Sequence, residues 1–235
     1  GSDSVQLPTV AFGLPALDKT FWMGLSLLGD GRLLLVLVAT VALACPRPRW
    51  RLLQRWLPAI AAAAGLTLAT KLAFMGWGIG SAALDFTGIS GHATMSAAVY
   101  PVAISLLAAG HSAAPKRWAW AGVVLALLVS ASRLPLNAHT LSEVVTGSAL
   151  GLLASGWTLW RLQLPAGGPR YRWLALPLAI ACLLPVVPAQ FSSHRAVERT
   201  AKLLSGNERL HTRKWLHRAA SRPRQPSLAH DAVAR

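Results

Sequence analysis

The stretch LPAIAAAAGLTLATKLAFMGWGI, residues 57–79, decides the fold class of this chain. It is long enough to cross a bilayer as one helix, and its only charged side chain is Lys71. Apolar runs recur at residues 25–44, 90–110, 118–131, 139–162 and 173–191. The run at 118–131 is short and needs residues up to Pro135 to cross the bilayer. With 54% apolar and 13% charged residues, the chain is predicted to be an all-α polytopic membrane protein with six transmembrane helices in residues 24–191.

Two segments flank this predicted membrane domain. Residues 1–23 predict a short interfacial helix that is too polar to span, and they contain no basic and apolar sequence typical of a cleavable signal peptide. Residues 192–235 form a basic tail with ten Lys and Arg against three acids, and short amphipathic helices are predicted at 193–204 and 207–220. The tail is interpreted as an interfacial appendage or as a lid that gathers anionic lipid headgroups.

Basic residues are distributed unevenly among the loops. Loops at residues 46–56, 116–117 and 161–172 carry nine Lys and Arg and no acid, whereas loops 80–89 and 134–138 carry only Asp85. By the positive-inside rule, the basic loops are cytoplasmic and the other two face the outside of a bacterial inner membrane. Membrane topology and anionic lipid thus explain the net charge of +15 better than nucleic acid does. Tryptophans expected to anchor the cytoplasmic helix ends are Trp50, Trp56, Trp118, Trp160 and Trp173.

The few polar residues at membrane depth converge on the two outer loops, which marks them as functional candidates. Ser90 and Gly91 begin one apolar segment, and free backbone N–H groups at a helix N-terminus favour an anion. Lys71 and Arg133 add the positive charge that a phosphoryl group requires in its transition state. These four residues are predicted to bind phosphate.

Two histidines and a carboxylate complete the cluster. Glu143 follows His139 by four residues, so their side chains share one face of a helix. The carboxylate can then hold one imidazole nitrogen while the other attacks phosphorus, and His92 can protonate the leaving oxygen. Simpler alternatives are that Glu143 pairs with Arg133 and that Ser90 is an ordinary helix cap. The tail histidines His194, His211 and His217 are predicted to be solvated.

These residues resemble three motifs of the type 2 phosphatidic acid phosphatase superfamily: Lys-x6-Arg-Pro, Pro-Ser-Gly-His and Ser-Arg-x5-His-x3-Asp. The third motif reads from Ser132-Arg133 to His139 and Glu143, with Glu in place of Asp, and the second reads Ile89-Ser90-Gly91-His92 without the proline. The first keeps Lys71 but has Gly78 and Ile79 in place of Arg-Pro. The resemblance implies a phosphohistidine on His139, oriented by Glu143, with His92 as the acid, phosphate bound by Lys71, Ser90, Gly91 and Arg133, and neither metal nor other cofactor.

The altered first motif lacks a positive charge, so either another cation replaces it or the substrate differs. Arg32 and Arg195 are the nearby candidates, although Arg32 more simply pairs with Asp30 and Arg195 more simply lies at the lipid surface. The expected function is a metal-independent phosphatase for a lipid phosphate or diphosphate at the outer leaflet. Polyprenyl diphosphate, phosphatidylglycerol phosphate and lipid A are bacterial substrates that such families handle. The alternatives are a lipid phosphotransferase with the same intermediate and a noncatalytic lipid-phosphate binder or transporter.

Overall fold

The computed structural model describes residues 18–44, 50–160, 162–164, 175–183 and 193–221. Within these ranges the chain is helical and contains no β-strand, so the predicted all-α class is confirmed there. An isolated antiparallel bridge joins Ser81 and Phe86. The helices are α1 (Lys19–Leu27), α2 (Gly31–Ala44), α3 (Trp50–Trp77), α4 (Gly91–Ala108), α5 (Ala119–Ala131), α6 (Leu141–Leu159), α7 (Ala175–Leu183), α8 (Ser193–Ser205) and α9 (Arg213–Ser221), with a 3₁₀ turn at Pro115–Trp118.

Two of the described helices, α3 and α4, are long and apolar enough to cross a membrane. The pair α1 and α2 is a third candidate if it forms one span, and it bends by 41° at its break. The break interrupts the apolar run predicted at 25–44 because the Asp30 carboxylate accepts the Arg32 backbone N–H at 2.9 Å, as a residue preceding a helix does. The predicted sixth segment, 173–191, is described only at 175–183. The count of six spans therefore stays a prediction.

Helix α4 lies at the centre of the fold. Twelve of its eighteen residues are buried, and it packs against α2, α3, α5 and α6. Its contact with α6 is very close, since a Cβ atom added to Gly151 would lie 2.3 Å from the carbonyl oxygen of Thr94. This contact also aligns the beginnings of the two helices, where the Ser90 backbone N–H donates to the Glu143 carbonyl at 3.1 Å.

One predicted membrane anchor is instead part of the core. Trp56 is fully buried, and its Nε1–H donates to the Ala98 carbonyl at 3.1 Å. The prediction of an interfacial position was wrong for this residue because α3 turns that face toward α4. Trp50, Trp118 and Trp160 are each more than half exposed, and Trp173 lies outside the described residues.

Residues 193–221, which comprise helices α8 and α9 and their connection, are called the tail hairpin because the chain turns back at the connection, although the two helices make few contacts with each other. The two helices cover most of the segments for which amphipathic helices were predicted, and α8 packs against α3. The connection bonds to the last turn of α3: Asn207 Nδ2 donates to the Gly76 carbonyl at 3.1 Å, and the His211 N–H donates to the Met75 carbonyl at 2.9 Å. Since the last carbonyls of a helix have no partner within it, the tail hairpin completes the end of α3.

Candidate active site

A cavity of about 490 Å³ opens where the end of α3 and the start of α4 meet the tail hairpin. Four of the predicted site residues line it: Lys71, His92, Arg133 and His139. The predicted outer loops contribute Thr87, Gly88 and Ala138, and α3 adds Phe74 and Met75. The tail hairpin supplies the remaining wall, which consists of His194, Val197, Glu198, Leu210, His211, Thr212 and Arg213.

The predicted pairing of His139 with Glu143 is present. His139 Nδ1 lies 2.7 Å from Glu143 Oε2, and the Glu143 side chain is fully buried. An ionised carboxylate only accepts hydrogen bonds, so Nδ1 carries the proton and Nε2 keeps its lone pair. The imidazole, 16% exposed, therefore presents an unprotonated nitrogen on its other side.

Glu143 is held firmly by its own partners. Its Oε1 accepts the backbone N–H and the hydroxyl of Thr87, both at 2.7 Å. Its Oε2 also accepts the backbone N–H of Thr140, the residue before α6, at 3.3 Å. A carboxylate in the first turn of a helix interacts favourably with the helix dipole, which helps to place it there.

Lys71 reaches the start of α4. A Cβ atom added to Gly91 would lie 3.7 Å from Lys71 Nζ, so the ammonium group stands beside the helix N-terminus. Ser90 is buried and caps α4, because its Oγ accepts the Ala93 N–H at 3.5 Å. The cap role weighed from sequence is thus present, and the ammonium group beside it makes the same place attractive for an anion.

Arg133 brings a second cation to the cavity. Its Nη1 donates to the Ser26 hydroxyl, whereas its buried Nε has no hydrogen-bond partner within the described part of the chain. A buried donor without an acceptor is costly, and a bound anion would remove that cost. Among the described residues the ion pairs of Glu143 are with His139 and Arg213, so the alternative pairing with Arg133 is not seen.

Sequence analysis missed one cation of the site, Arg213 of the tail hairpin. Its Nη2 donates to Glu143 Oε1 at 2.9 Å, and its Nη1 lies 2.8 Å from Asp85 Oδ1. Arg32 and Arg195 were the candidates to replace the missing first-motif arginine. Arg32 pairs with Asp30 at 2.9 Å, and Arg195 is exposed on α8. The only signals in the sequence were the missing arginine itself and the basic residues of the tail helix predicted at 207–220.

Of the three tail histidines, His211 departs from its predicted solvated state, whereas His194 and His217 are exposed. His211 is partly buried, with its ring 4.3 Å from that of Trp215 between centroids, and His217 Nε2 lies 2.8 Å from Asp85 Oδ1. The contact of His217 with Asp85 joins the tail hairpin to the rest of the protein, whereas the ring contact lies within the tail hairpin. His194 is exposed yet lines the cavity.

The described residues form an all-α protein with a cavity lined by histidine, lysine and arginine residues, and comparison with known proteins identifies the family. The PAP2 superfamily model matches residues 19–165, more than half of the chain, so the chain belongs to this superfamily, whose members are phosphatases. The predicted resemblance is thereby confirmed. The matched residues end before the tail hairpin, so Arg213 lies outside them.

A similar protein carries a name that states no activity. The chain is 40% identical over 137 residues to a protein of Klebsiella pneumoniae called an uncharacterized 22.5 kDa protein in the cps region. The similarity covers 57% of this chain and 66% of that protein. No solved structure matches the chain.

Proposed function

We propose that this protein is a metal-independent phosphatase that acts on a lipid phosphate or diphosphate through a phosphohistidine on His139. The proposal rests on the His139–Glu143 pair, in which Nδ1 and Oε2 are 2.7 Å apart, at a cavity that Lys71 and Arg133 also line. The buried, unpartnered Nε of Arg133 supports the binding of an anion there.

The reaction proceeds in two displacements. His139 Nε2 attacks phosphorus, the bond from phosphorus to the leaving oxygen breaks, and that oxygen takes a proton from His92. Water then attacks the phosphohistidine, His92 takes its proton, and the phosphorus–nitrogen bond breaks to release phosphate and free His139. Lys71, Arg133 and the Gly91 N–H at the start of α4 stabilise the charge on the phosphoryl oxygens in both steps, whereas the Ser90 N–H predicted to share this role already donates to the Glu143 carbonyl.

We place the reaction at the outer leaflet of a bacterial inner membrane, in a domain of six transmembrane helices. The apolar helices α3 and α4 support a membrane location, and the cavity lies at the end of α3 away from the basic loop at 46–56. By the positive-inside rule that end faces outward. A lipid phosphate at the membrane surface is therefore the substrate class that the position of the cavity favours.

The test is an assay of purified protein in detergent with polyprenyl diphosphate, phosphatidylglycerol phosphate and lipid A, each with and without a lipid acceptor. We expect released phosphate from at least one of them, and transfer to the acceptor instead of release would favour the phosphotransferase alternative. Binding of these lipids without either product would favour the noncatalytic alternative and contradict the proposal.

Metal independence is tested in the same assay. Among the described residues, no group of three or more His, Cys, Asp or Glu side chains is arranged to hold a metal ion. We expect full activity in excess EDTA, because Lys71, Arg133 and the helix N-terminus already provide the positive charge. Complete loss of activity that one divalent ion restores would contradict this expectation.

A further inference from the structure

We infer that Arg213 is a positioning residue, which orients His139 through Glu143 and enters the site from the tail hairpin in place of the missing first-motif arginine. The inference rests on the proposed function, since it concerns the orientation of the nucleophile. It adds a residue outside the part of the chain that matches the family.

The position of the missing arginine is closed by the tail hairpin itself. Gly78 ends α3 in the left-handed region, with φ of 71°, and its N–H donates to the Phe74 carbonyl at 2.8 Å. A Cβ atom at this position would lie 2.7 Å from the indole ring of Trp215. An arginine at residue 78 would therefore be strained and would collide with Trp215, whereas Arg213, two residues before Trp215, brings a guanidinium to the same cavity.

The contacts of Arg213 lead directly to the nucleophile. Arg213 Nη2 holds Oε1 of Glu143 at 2.9 Å, and the other oxygen of the same carboxylate holds His139 Nδ1 at 2.7 Å. Glu143 is fully buried, and a buried carboxylate is costly unless it is paired. Arg213 therefore does two things: it offsets the charge of Glu143 and fixes the rotation of its carboxylate, which sets the direction of the imidazole.

Contacts other than the one with Glu143 hold Arg213 and the tail hairpin in this place. Arg213 Nη1 donates to the Asp85 carbonyl at 2.6 Å and pairs with its carboxylate at 2.8 Å. His217 pairs with the same carboxylate, and the connection of the tail hairpin bonds to the last carbonyls of α3. The guanidinium is thus anchored independently of Glu143, as a group that orients another side chain must be.

The experiment compares Arg213→Ala with Arg218→Ala in the full chain, because Arg218 lies on the same helix, is exposed, and its side chain donates to the Lys214 carbonyl of its own helix. A small aryl phosphate is the substrate, so that lipid recognition plays no part. We expect Arg213→Ala to lower kcat and the single-turnover rate of phosphoenzyme formation by about 10- to 100-fold, the loss of one hydrogen bond between charged groups. KM should change by less than about threefold, and Arg218→Ala should behave as wild type.

Two further variants separate positioning from a merely structural role. Arg213→Lys, which keeps one charged contact but not the bridge from Glu143 to Asp85, should recover part of the loss. In a Glu143→Gln background, Arg213→Ala should cost far less than in wild type, because the residue through which it acts is already altered. Equal losses in both backgrounds would overturn the inference.

A cross-link controls for displacement of the tail hairpin. A Cβ atom added to Gly76 would lie 3.1 Å from Ser205 Cβ, near the separation of about 3.5–4.5 Å in disulfides. With Cys45 and Cys182 replaced by Ala, the pair Gly76→Cys and Ser205→Cys should cross-link and retain activity. Arg213→Ala should lower kcat in this cross-linked protein as well. Full kcat there, or a raised KM with unchanged kcat, would overturn the inference.

The outcomes distinguish this inference from the proposed function. If the wild type is active and Arg213→Ala has the same kcat, the inference is overturned and the proposed function still stands. Turnover of the aryl phosphate but of no lipid phosphate would remove the lipid substrate and leave the role of Arg213 intact. A wild type that forms no phosphoenzyme from any donor would overturn both.

Discussion

Two regions meet at the cavity and are built in different ways. The beginnings of α4 and α6 are joined by buried backbone contacts, with Gly151 against Thr94 and the Ser90 N–H on the Glu143 carbonyl. The tail hairpin is mostly exposed, and it is attached through the packing of α8 against α3, hydrogen bonds, ion pairs and the side chain of Trp215. The first region carries the proposed nucleophile His139 with its partner Glu143, and the second carries Arg213, which pairs with Glu143.

The difference matches the different roles that we propose for the two regions. A nucleophile must be held rigidly relative to the phosphate, and close helix packing provides that rigidity. Arg213 acts through Glu143 and does not need the same packing, because its bonds to the backbone and the carboxylate of Asp85 fix it. A guanidinium can therefore come from a peripheral element, whereas the His139–Glu143 pair cannot.

The largest effect is expected at the packed region. His139→Ala should lower kcat by about 10⁴-fold or more, because it removes the nucleophile and not merely its environment. Acid quench with labelled substrate should trap a phosphoenzyme in wild type and none in the variant. A phosphoenzyme that survives in His139→Ala would show that another residue is the nucleophile.

Two glycines of α6 test the packing itself. A Cβ atom on Gly151 would lie 2.3 Å from the Thr94 carbonyl oxygen, so Gly151→Ala should lower the free energy of unfolding by about 1–3 kcal/mol. Gly156, on the same helix, has no atom within 4 Å of its added Cβ, and Gly156→Ala should raise stability by about 0.5–1 kcal/mol. Thermal unfolding in detergent measures both. Equal Tm values for the two variants would mean that the contact of α4 with α6 is not tight.

The same contrast explains what the sequence predicted and what it did not. The cavity residues Lys71, His92, Arg133 and His139 were found because the proposed chemistry requires fixed residue types at fixed spacings, as in the four-residue step from His139 to Glu143. Arg213 was missed because it is 70 residues from Glu143 and its neighbours form no motif. The break before α2 was missed because Asp30 caps that helix inside an apolar run. Long-range packing also decided that Trp56 is buried and not interfacial.

Removal of the tail hairpin should have a smaller effect than loss of the nucleophile. Deleting residues 193–235 should leave the rest of the protein folded and lower kcat by about 10- to 100-fold, as expected from the loss of Arg213 alone. Deleting only residues 222–235, which leaves Arg213 in place, should preserve kcat. If the tail served solely to gather anionic lipid, the longer deletion would instead raise KM in mixed micelles with kcat unchanged.

The smallest effect is expected at Asp85, the partner of both Arg213 and His217. Asp85 has φ of 48°, a left-handed conformation that Asn also adopts readily, so Asp85→Asn removes the charge without straining the loop. The Asp85 side chain is 40% exposed, and such ion pairs contribute only about 0.2–1 kcal/mol each. Contacts of the tail hairpin with α3 and Glu143 remain, so we expect kcat to fall by only about two- to fivefold. Asp85→Ala should lower Tm further than Asp85→Asn because it adds backbone strain to the same loss of charge. A fall in kcat as large as that of Arg213→Ala would show that Asp85, and not the end of α3, holds the guanidinium in the site.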